Sequence, residues 1–214
     1  MRKILAAGTA VLFSLTAAAC GGGGQGGQQA AGGGMQEQSS AMSDTGAAMQ
    51  GGGSQGSASM GELSVPDWMK VDKSAKTVTM DITAGESQAN NGWNYNGYYN
   101  GDATLVVPQG YKVTINFHNK DQANPHSLAI STDSPPFPAT FSEAHLAFDG
   151  AETPGSMQMN TATQPGKSAT VTFTADKAGQ YVMLCHVPAH ATTGMWIHFK
   201  VSANGDVGLQ TSQS

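Results

Sequence analysis

Apolar and polar residues alternate over much of the chain from residue 78 onward. Val78, Met80 and Ile82 alternate with Thr79, Asp81 and Thr83, and Val113, Ile115 and Phe117 alternate with Thr114, Asn116 and His118. A period of two is what a strand with one buried face requires, and the three-to-four spacing of an amphipathic helix is absent. Further strands are expected at residues 103–107, 126–131, 169–174, 180–185 and 196–201, punctuated by Pro-Gln-Gly at 108–110, Gln-Pro-Gly at 164–166 and Lys-Ala-Gly at 177–179. The pattern predicts an all-β sandwich. Residues 133–164 break the rhythm with Ser-Pro-Pro-Phe-Pro and are expected to form one long inter-sheet loop, with a short helical turn around 142–147. Loops of that length are usually functional or mobile.

Two N-terminal segments carry no such pattern. Residues 1–19 combine the basic pair Arg2 and Lys3, an apolar run from Ile4 to Leu15 and the small residues Ala17, Ala18 and Ala19, the plan of an export signal peptide. The apolar run is too short to span a bilayer. Cys20 directly after three alanines resembles the bacterial lipobox, which implies an acylated thiol on Cys20 and a cut immediately before it. From Gly21 to Gly61 there are 15 glycines among 41 residues, with only Glu37 and Asp44 charged and no aromatic residue. Such a segment buries too little apolar surface to offset its conformational entropy, so residues 20–61 are expected to act as a disordered, lipid-anchored linker spanning about 35 Å. Met35, Met42, Met49 and Met60 suggest soft thioether ligands for a metal, but gaps of seven residues or more in a floppy chain supply no chelating geometry.

Residues 62–214 then form one domain of ordinary size with an adequate core. Without the signal the chain keeps eight basic and all fifteen acidic residues, a net charge of −7, which disfavours nucleic acid as a partner. The chain has two cysteines, and export would ordinarily pair them in a disulfide. If Cys20 carries lipid, Cys185 becomes a lone thiol outside the cytoplasm, and a metal would protect it.

The chemistry is concentrated near the C-terminus. Cys185-His-Val-Pro-Ala-His190-Ala-Thr-Thr-Gly-Met195 places a thiolate, an imidazole and a thioether within eleven residues, and Pro125-His126-Ser127 stands upstream. Two imidazoles, one thiolate and a weakly bound methionine form the ligand set of blue copper. Singly, each residue has a plainer reading: a cysteine on a strand as a small buried hydrophobe, a histidine as a polar edge, Met195 as core. Together with their spacing they point to copper. Tyr181, Met183 and Cys185 share one strand face, so the thiol should emerge at the end of the sandwich where the chain turns into the loop. Multicopper oxidases flank the corresponding cysteine with histidines; here Leu184 precedes it and the chain has no His-x-His pair. His186 is therefore expected to be a solvent-facing loop residue. His118 and His198 are expected to face water, and His145 is the only other histidine that could approach the site.

Cys185, four residues, His190, four residues, Met195, with Pro188 two before His190, resembles the cupredoxin superfamily, with the loop spacing of its rusticyanin and sulfocyanin families. Trp93-Asn-Tyr-Asn-Gly, Val107-Pro-Gln-Gly-Tyr-Lys-Val-Thr-Ile-Asn-Phe, Pro125-His126-Ser127 and Gly194-Met195-Trp196 look like the sulfocyanin run of motifs. That resemblance implies a cupredoxin-like Greek-key sandwich holding one type 1 copper ion, with His126, Cys185 and His190 as equatorial ligands and Met195 as the axial one. It also implies that Ser127 bonds across to the cysteine loop. Pro188 has no N–H to donate to the sulfur, which should favour the reduced state.

A site filled by four protein ligands leaves no open position for a substrate, so the expected function is electron transfer and not catalysis. His190 should present an imidazole edge through the uncharged surface of residues 185–196, extended by residues 134–141, where redox proteins would dock. The resemblance implies a respiratory setting, between a quinol-oxidising complex or cytochrome and a terminal oxidase. The lipid would hold the carrier on the outer face of a bacterial membrane, in the periplasm or at the cell surface. The competing readings are a copper-delivery protein and a one-domain copper oxidoreductase. The first requires an exchangeable site and the second requires another metal with its own histidines.

Overall fold

A computed structural model describes residues 61–212. The signal peptide, Cys20 and the linker through residue 60 lie outside the described residues. Nine strands follow in chain order: β1 Met69–Asp72, β2 Thr77–Ala84, β3 Ala103–Pro108, β4 Lys112–Asn119, β5 Ala129–Ser131, β6 Ser168–Thr174, β7 Gly179–Leu184, β8 Trp196–Ser202 and β9 Gly208–Thr211. They form two mixed sheets, one in the order β1-β2-β4-β6 and the other in the order β5-β7-β8-β3-β9. The β2–β4 and β3–β8 pairs are parallel and the rest antiparallel.

The alternation seen in the sequence is the alternation of burial. Val78, Met80 and Ile82 of β2, Val113, Ile115 and Phe117 of β4, and Val171 and Phe173 of β6 face Leu105, Val107, Ile197, Phe199, Met183 and Cys185 of the opposite sheet, all within one core cluster. Two sheets that each bury one apolar face have no other stable arrangement. β1 and β9 are four-residue edge strands that the sequence pattern did not foreshadow. β5 is shorter than the expected 126–131, because His126 pairs with Thr163 through two 3.0 Å backbone bonds and the Leu128 carbonyl accepts the Thr153 N–H, both from the long loop.

That loop, residues 132–167, does cross between the sheets, but no helical turn forms at 142–147. The segment is held extended instead: the Ala147 N–H donates to Ile130 O at 2.8 Å, and Leu146 forms a bridge with Ser131. The 3-10 turn lies elsewhere, at Ala89–Gly92. There Asn90, Asn91 and Gly92 all take left-handed backbone angles, a conformation open to glycine and tolerated by asparagine.

This 89–101 segment is pinned to the ligand loop. The Asn100 N–H donates to Gly194 O at 2.8 Å and the Gly101 N–H to Trp196 O at 3.1 Å. The approach is so close that a Cβ on Gly194, whose φ is +104°, would overlap the Asn100 side chain. Gly194→Ala should therefore lower stability by on the order of 3 kcal/mol, read by urea unfolding of the metal-free domain. An unchanged midpoint would show that the approach is not tight in solution.

Candidate metal centre

Cys185 follows β7 directly, still in the strand's parity, so its sulfur turns into the core end of the sandwich with Tyr181 and Met183. The loop that follows closes on itself. The Val187 carbonyl accepts the His190 N–H at 3.1 Å, Met195 N–H donates to His190 O at 2.9 Å, and Cys185 N–H donates to Met195 O at 3.1 Å. The first and last residues of the motif are thus bonded neighbours. His126 enters from the other side, just before β5.

The side chains converge. His126 Nδ1 lies 3.1 Å from His190 Nδ1, and Cys185 Sγ lies 3.4 Å from His190 Nδ1. The three donor atoms all fall within 4.8 Å of one another, and all three residues are buried, as is Met195. Ligand atoms about 2.0–2.3 Å from a common centre stand about this far apart. The tautomer supports the same conclusion. His126 Nε2 is 2.9 Å from Asp121 Oδ2, and a carboxylate only accepts, so Nε2 carries the proton and Nδ1 turns a lone pair toward its neighbours. Lone pairs of nitrogen and sulfur facing one another in a dry site call for a cation. The soft sulfur with two imidazoles suits copper.

Three residues support this cluster from behind. The Ser127 N–H donates to Cys185 Sγ at 3.3 Å, and its hydroxyl, 3.5 Å from the same sulfur, accepts the His186 N–H at 2.9 Å. Tyr95 is fully buried and donates its hydroxyl to Ser127 O at 2.6 Å. Asp121 accepts the N–H groups of Ala123 at 2.8 Å and Asn124 at 3.0 Å besides that of His126. Neither Tyr95 nor Asp121 stands out in the sequence. The Asp-Gln-Ala-Asn run ahead of Pro125-His126 has the composition of an Asx turn, but nothing in it says that the free carboxylate oxygen reaches the imidazole.

Electrostatics follow from burial. Desolvation raises the Cys185 thiol, opposed by the hydrogen bonds from Ser127, Val187 and Tyr95. Burial would raise Asp121 too, but the bonds from Ala123, His126 and Asn124 outweigh it and hold the carboxyl at about 2. Burial lowers both ligand imidazoles; for His190 the nearby His126 adds to it, bringing the ring from 6.5 to about 4. An imidazole depressed in the folded state takes up a proton on unfolding. The metal-free domain is therefore at full stability above about pH 6.5 and loses it as the pH falls toward 4. Between about pH 7.5 and about pH 4.5 His190 alone should contribute a loss on the order of 2 to 3 kcal/mol. Thermal melting across that range checks this, and a flat profile would contradict it.

The structure brings His126, Cys185 and His190 together, with Met195 buried and bonded through its backbone to Cys185 and His190, and with Ser127 against the sulfur; Pro188 lies in the same loop, partly buried. It keeps His145 away from the site: that ring is exposed and bonded to Asp133 at 2.8 Å and Glu143 at 3.0 Å. His118 and His198 are half-buried, the first bonded to Ser168 Oγ and the second edge-on to Trp196. Three expectations are overturned. His186 does not face solvent; it is 1% exposed, edge-on to Phe141 at 4.7 Å, and neither ring nitrogen has a partner. Residues 134–141 do not extend an exposed apolar surface: Phe137 and Phe141 turn inward and pack on Val182 and Leu184 of β7. His190 presents no open edge either: it is 2% exposed, beneath the indole of Trp93, stacked at 4.2 Å and 23°.

A family model described as the Sulfocyanin (SoxE) domain matches residues 65–211. The chain belongs to the sulfocyanin family. Sulfocyanin of Sulfolobus acidocaldarius is 30% identical over 134 residues, which cover 61% of this chain and 66% of that protein. The match thus spans just under two thirds of the relative's length. Among solved structures, dithionite-reduced auracyanin from Roseiflexus castenholzii is 26% identical over 62% of this chain and 99% of its own, with a TM-score of 0.41. Rusticyanin from Thiobacillus ferrooxidans is 24% identical over 64% and 87%, with a TM-score of 0.40. In this sulfocyanin domain His126, Cys185, His190 and Met195 are arranged as a type 1 copper site.

Proposed function

We propose that the chain is a one-electron carrier, and that it works tethered to a membrane within a respiratory chain. The observation that carries this reading is the closure of the site. The three ligand side chains and Met195 are buried, and the backbone bond from Cys185 to Met195 seals the loop around them. A metal caged by side chains offers no position to a substrate or to an attacking water. Bound copper supplies a one-electron couple. The chain's own residues hold the geometry: Asp121 fixes the tautomer of His126, Ser127 ties Cys185 to the upstream ligand, and the loop bonds fix His190 relative to Met195. A ligand set fixed by its scaffold changes little between oxidation states, which keeps reorganisation small.

The same closure disfavours copper delivery, which needs an exchangeable ion. Among the described residues His126, Cys185 and His190 are the one cluster of three such side chains suited to a metal, so a second copper for catalysis has no evident home there. The acidic domain, the Cys20 lipobox and the glycine-rich linker support a carrier held at the outer face of a bacterial membrane. It would swing between a cytochrome or quinol-oxidising complex and a terminal oxidase.

Mixing the oxidised, copper-loaded chain with a reduced c-type cytochrome tests the carrier. One electron should move per copper, with the ion retained against a mild chelator over repeated cycles. Loss of the ion would indicate delivery, and consumption of nitrite or dioxygen would indicate an enzyme. Tethering is tested separately, since palmitate labelling of the exported chain should vanish in Cys20→Ala.

A further inference from the structure

We propose that Trp93, and not the edge of His190, is the group across which electrons enter and leave the copper site; this rests on the electron-carrier reading above. A ligand imidazole open to solvent can meet a partner directly. Here His190 is 2% exposed, and the face of its ring is covered by the Trp93 indole at 4.2 Å and 23°. Trp93 is itself only partly buried, so one π-system touches both the ligand and the surface. Asn91 in its own turn, and Ala189 and Thr193 in the loop that carries His190, are exposed and uncharged.

The placement of the indole is built, not incidental. Asn90, Asn91 and Gly92 all adopt left-handed backbone angles to turn the chain over the ligand loop. The Asn90 side-chain amide then donates to Trp93 O at 2.9 Å and to Thr193 O at 3.0 Å, tying the two segments together. Asn94 steadies the turn by donating to Ser87 O at 2.9 Å and Ala89 O at 2.8 Å. Non-glycine residues in the left-handed region carry strain that the surrounding structure must hold. A lid meant only to exclude water would need an apolar side chain there, not a stacked aromatic fixed from both sides.

Electron tunnelling falls steeply with distance and is carried better through atoms in contact than through a gap. Stacking therefore extends the reach of His190 to the surface by the width of the indole. The step balances simply. One electron passes from the reduced centre to a one-electron acceptor protein bearing a haem or a second copper, no bond forms or breaks, and the indole remains neutral as a bridge. The competing exit runs from Cys185 along the chain to His186 and across to Phe141, whose ring lies 4.7 Å away.

The test is electron self-exchange between two copies of the copper-loaded chain, read from NMR line broadening in mixtures of the reduced and oxidised forms. Self-exchange has no net driving force, so it is insensitive to small changes in potential. Trp93→Leu should slow it several-fold, and Trp93→Phe, which keeps an aromatic face on His190, should restore most of the rate. Asn90→Gly keeps the left-handed turn but removes the tie, and should slow exchange by a smaller factor. The visible spectrum and midpoint potential should stay near wild type in all three. Indole emission gives a readout independent of turnover: it should be weaker in the copper-loaded than in the zinc-loaded wild type, and Trp93→Phe should remove most of that difference. An unchanged exchange rate in both Trp93→Leu and Asn90→Gly would overturn the proposal and favour the Phe141 exit. A faster rate in Trp93→Leu would overturn it as well, making Trp93 a shield. If Trp93→Leu fails to bind copper, Asn90→Gly decides. A wild-type protein with no thiolate-to-copper band would instead remove the carrier reading, and this inference with it.

Discussion

Cys185→Ser will give a protein that folds but is colourless with copper and passes no electrons through the site. The intense visible absorption of a blue site arises from charge transfer between thiolate sulfur and copper, and serine offers only a hydroxyl that stays protonated at neutral pH. The sulfur sits where its loss is felt fully. It is buried, receives the Ser127 N–H at 3.3 Å, and lies 3.4 Å from His190 Nδ1. The fold should tolerate the change, because the core cluster around Cys185 spans both sheets and the small serine can keep a bond to Ser127. Absorption spectra of the copper-loaded variant and wild type, with far-ultraviolet circular dichroism as a check on folding, read the result. A variant that remained blue would place the copper thiolate elsewhere.

Asp121→Asn should weaken copper binding by about 10- to 100-fold and raise the midpoint potential. The sign follows from charge. Asp121 is held ionised down to about pH 2 and accepts from His126 Nε2 at 2.9 Å, so it makes the imidazole more electron-rich and places a negative charge near the metal. Both effects favour the doubly charged oxidised ion over the singly charged reduced one. Asparagine keeps an acceptor oxygen in the same place and removes the charge, so the variant separates electrostatics from geometry. Asp121→Ala should show the same rise in potential with a larger loss of affinity, because the tautomer of His126 is then no longer fixed. Competition with a copper chelator and a redox titration of each variant give the two numbers. An unchanged potential in Asp121→Asn would mean that the carboxylate serves only its own turn, through Ala123 and Asn124.

Much of the sandwich is legible in the sequence because burial on one face imprints a period of two, and β2, β4, β6 and β8 carry it; β7 is instead an unbroken buried run, Tyr181 to Leu184, covered on both faces. The copper ligands are legible because three of them share one short loop, where spacing along the chain is nearly spacing in space. Two of the failures share one physical cause. Parity assigns residues to a face, but it does not say what lies over that face. His186 is expected to face water because it has no companion histidines with which to build a cluster, yet Phe141, forty-five residues upstream, lies against its ring. His190 was expected to reach the surface because it sits in a loop, yet Trp93 lies across it. Asp121 was missed for a related reason. Its role depends on a side chain folding back across an Asx turn, a local geometry that composition permits but does not specify. The missing edge strands β1 and β9 are simply too short, four residues each, for alternation to be counted.

The central claim is that the closed cage of His126, Cys185, His190 and Met195 carries single electrons. A redox titration of the copper-loaded chain, followed in the visible, tests it most directly. The expected result is an intense thiolate-to-copper band that bleaches on addition of one electron per copper and returns in full on reoxidation, with no copper released over repeated cycles. A protein that is colourless when oxidised, or whose band fails to return because the ion has left, would contradict it.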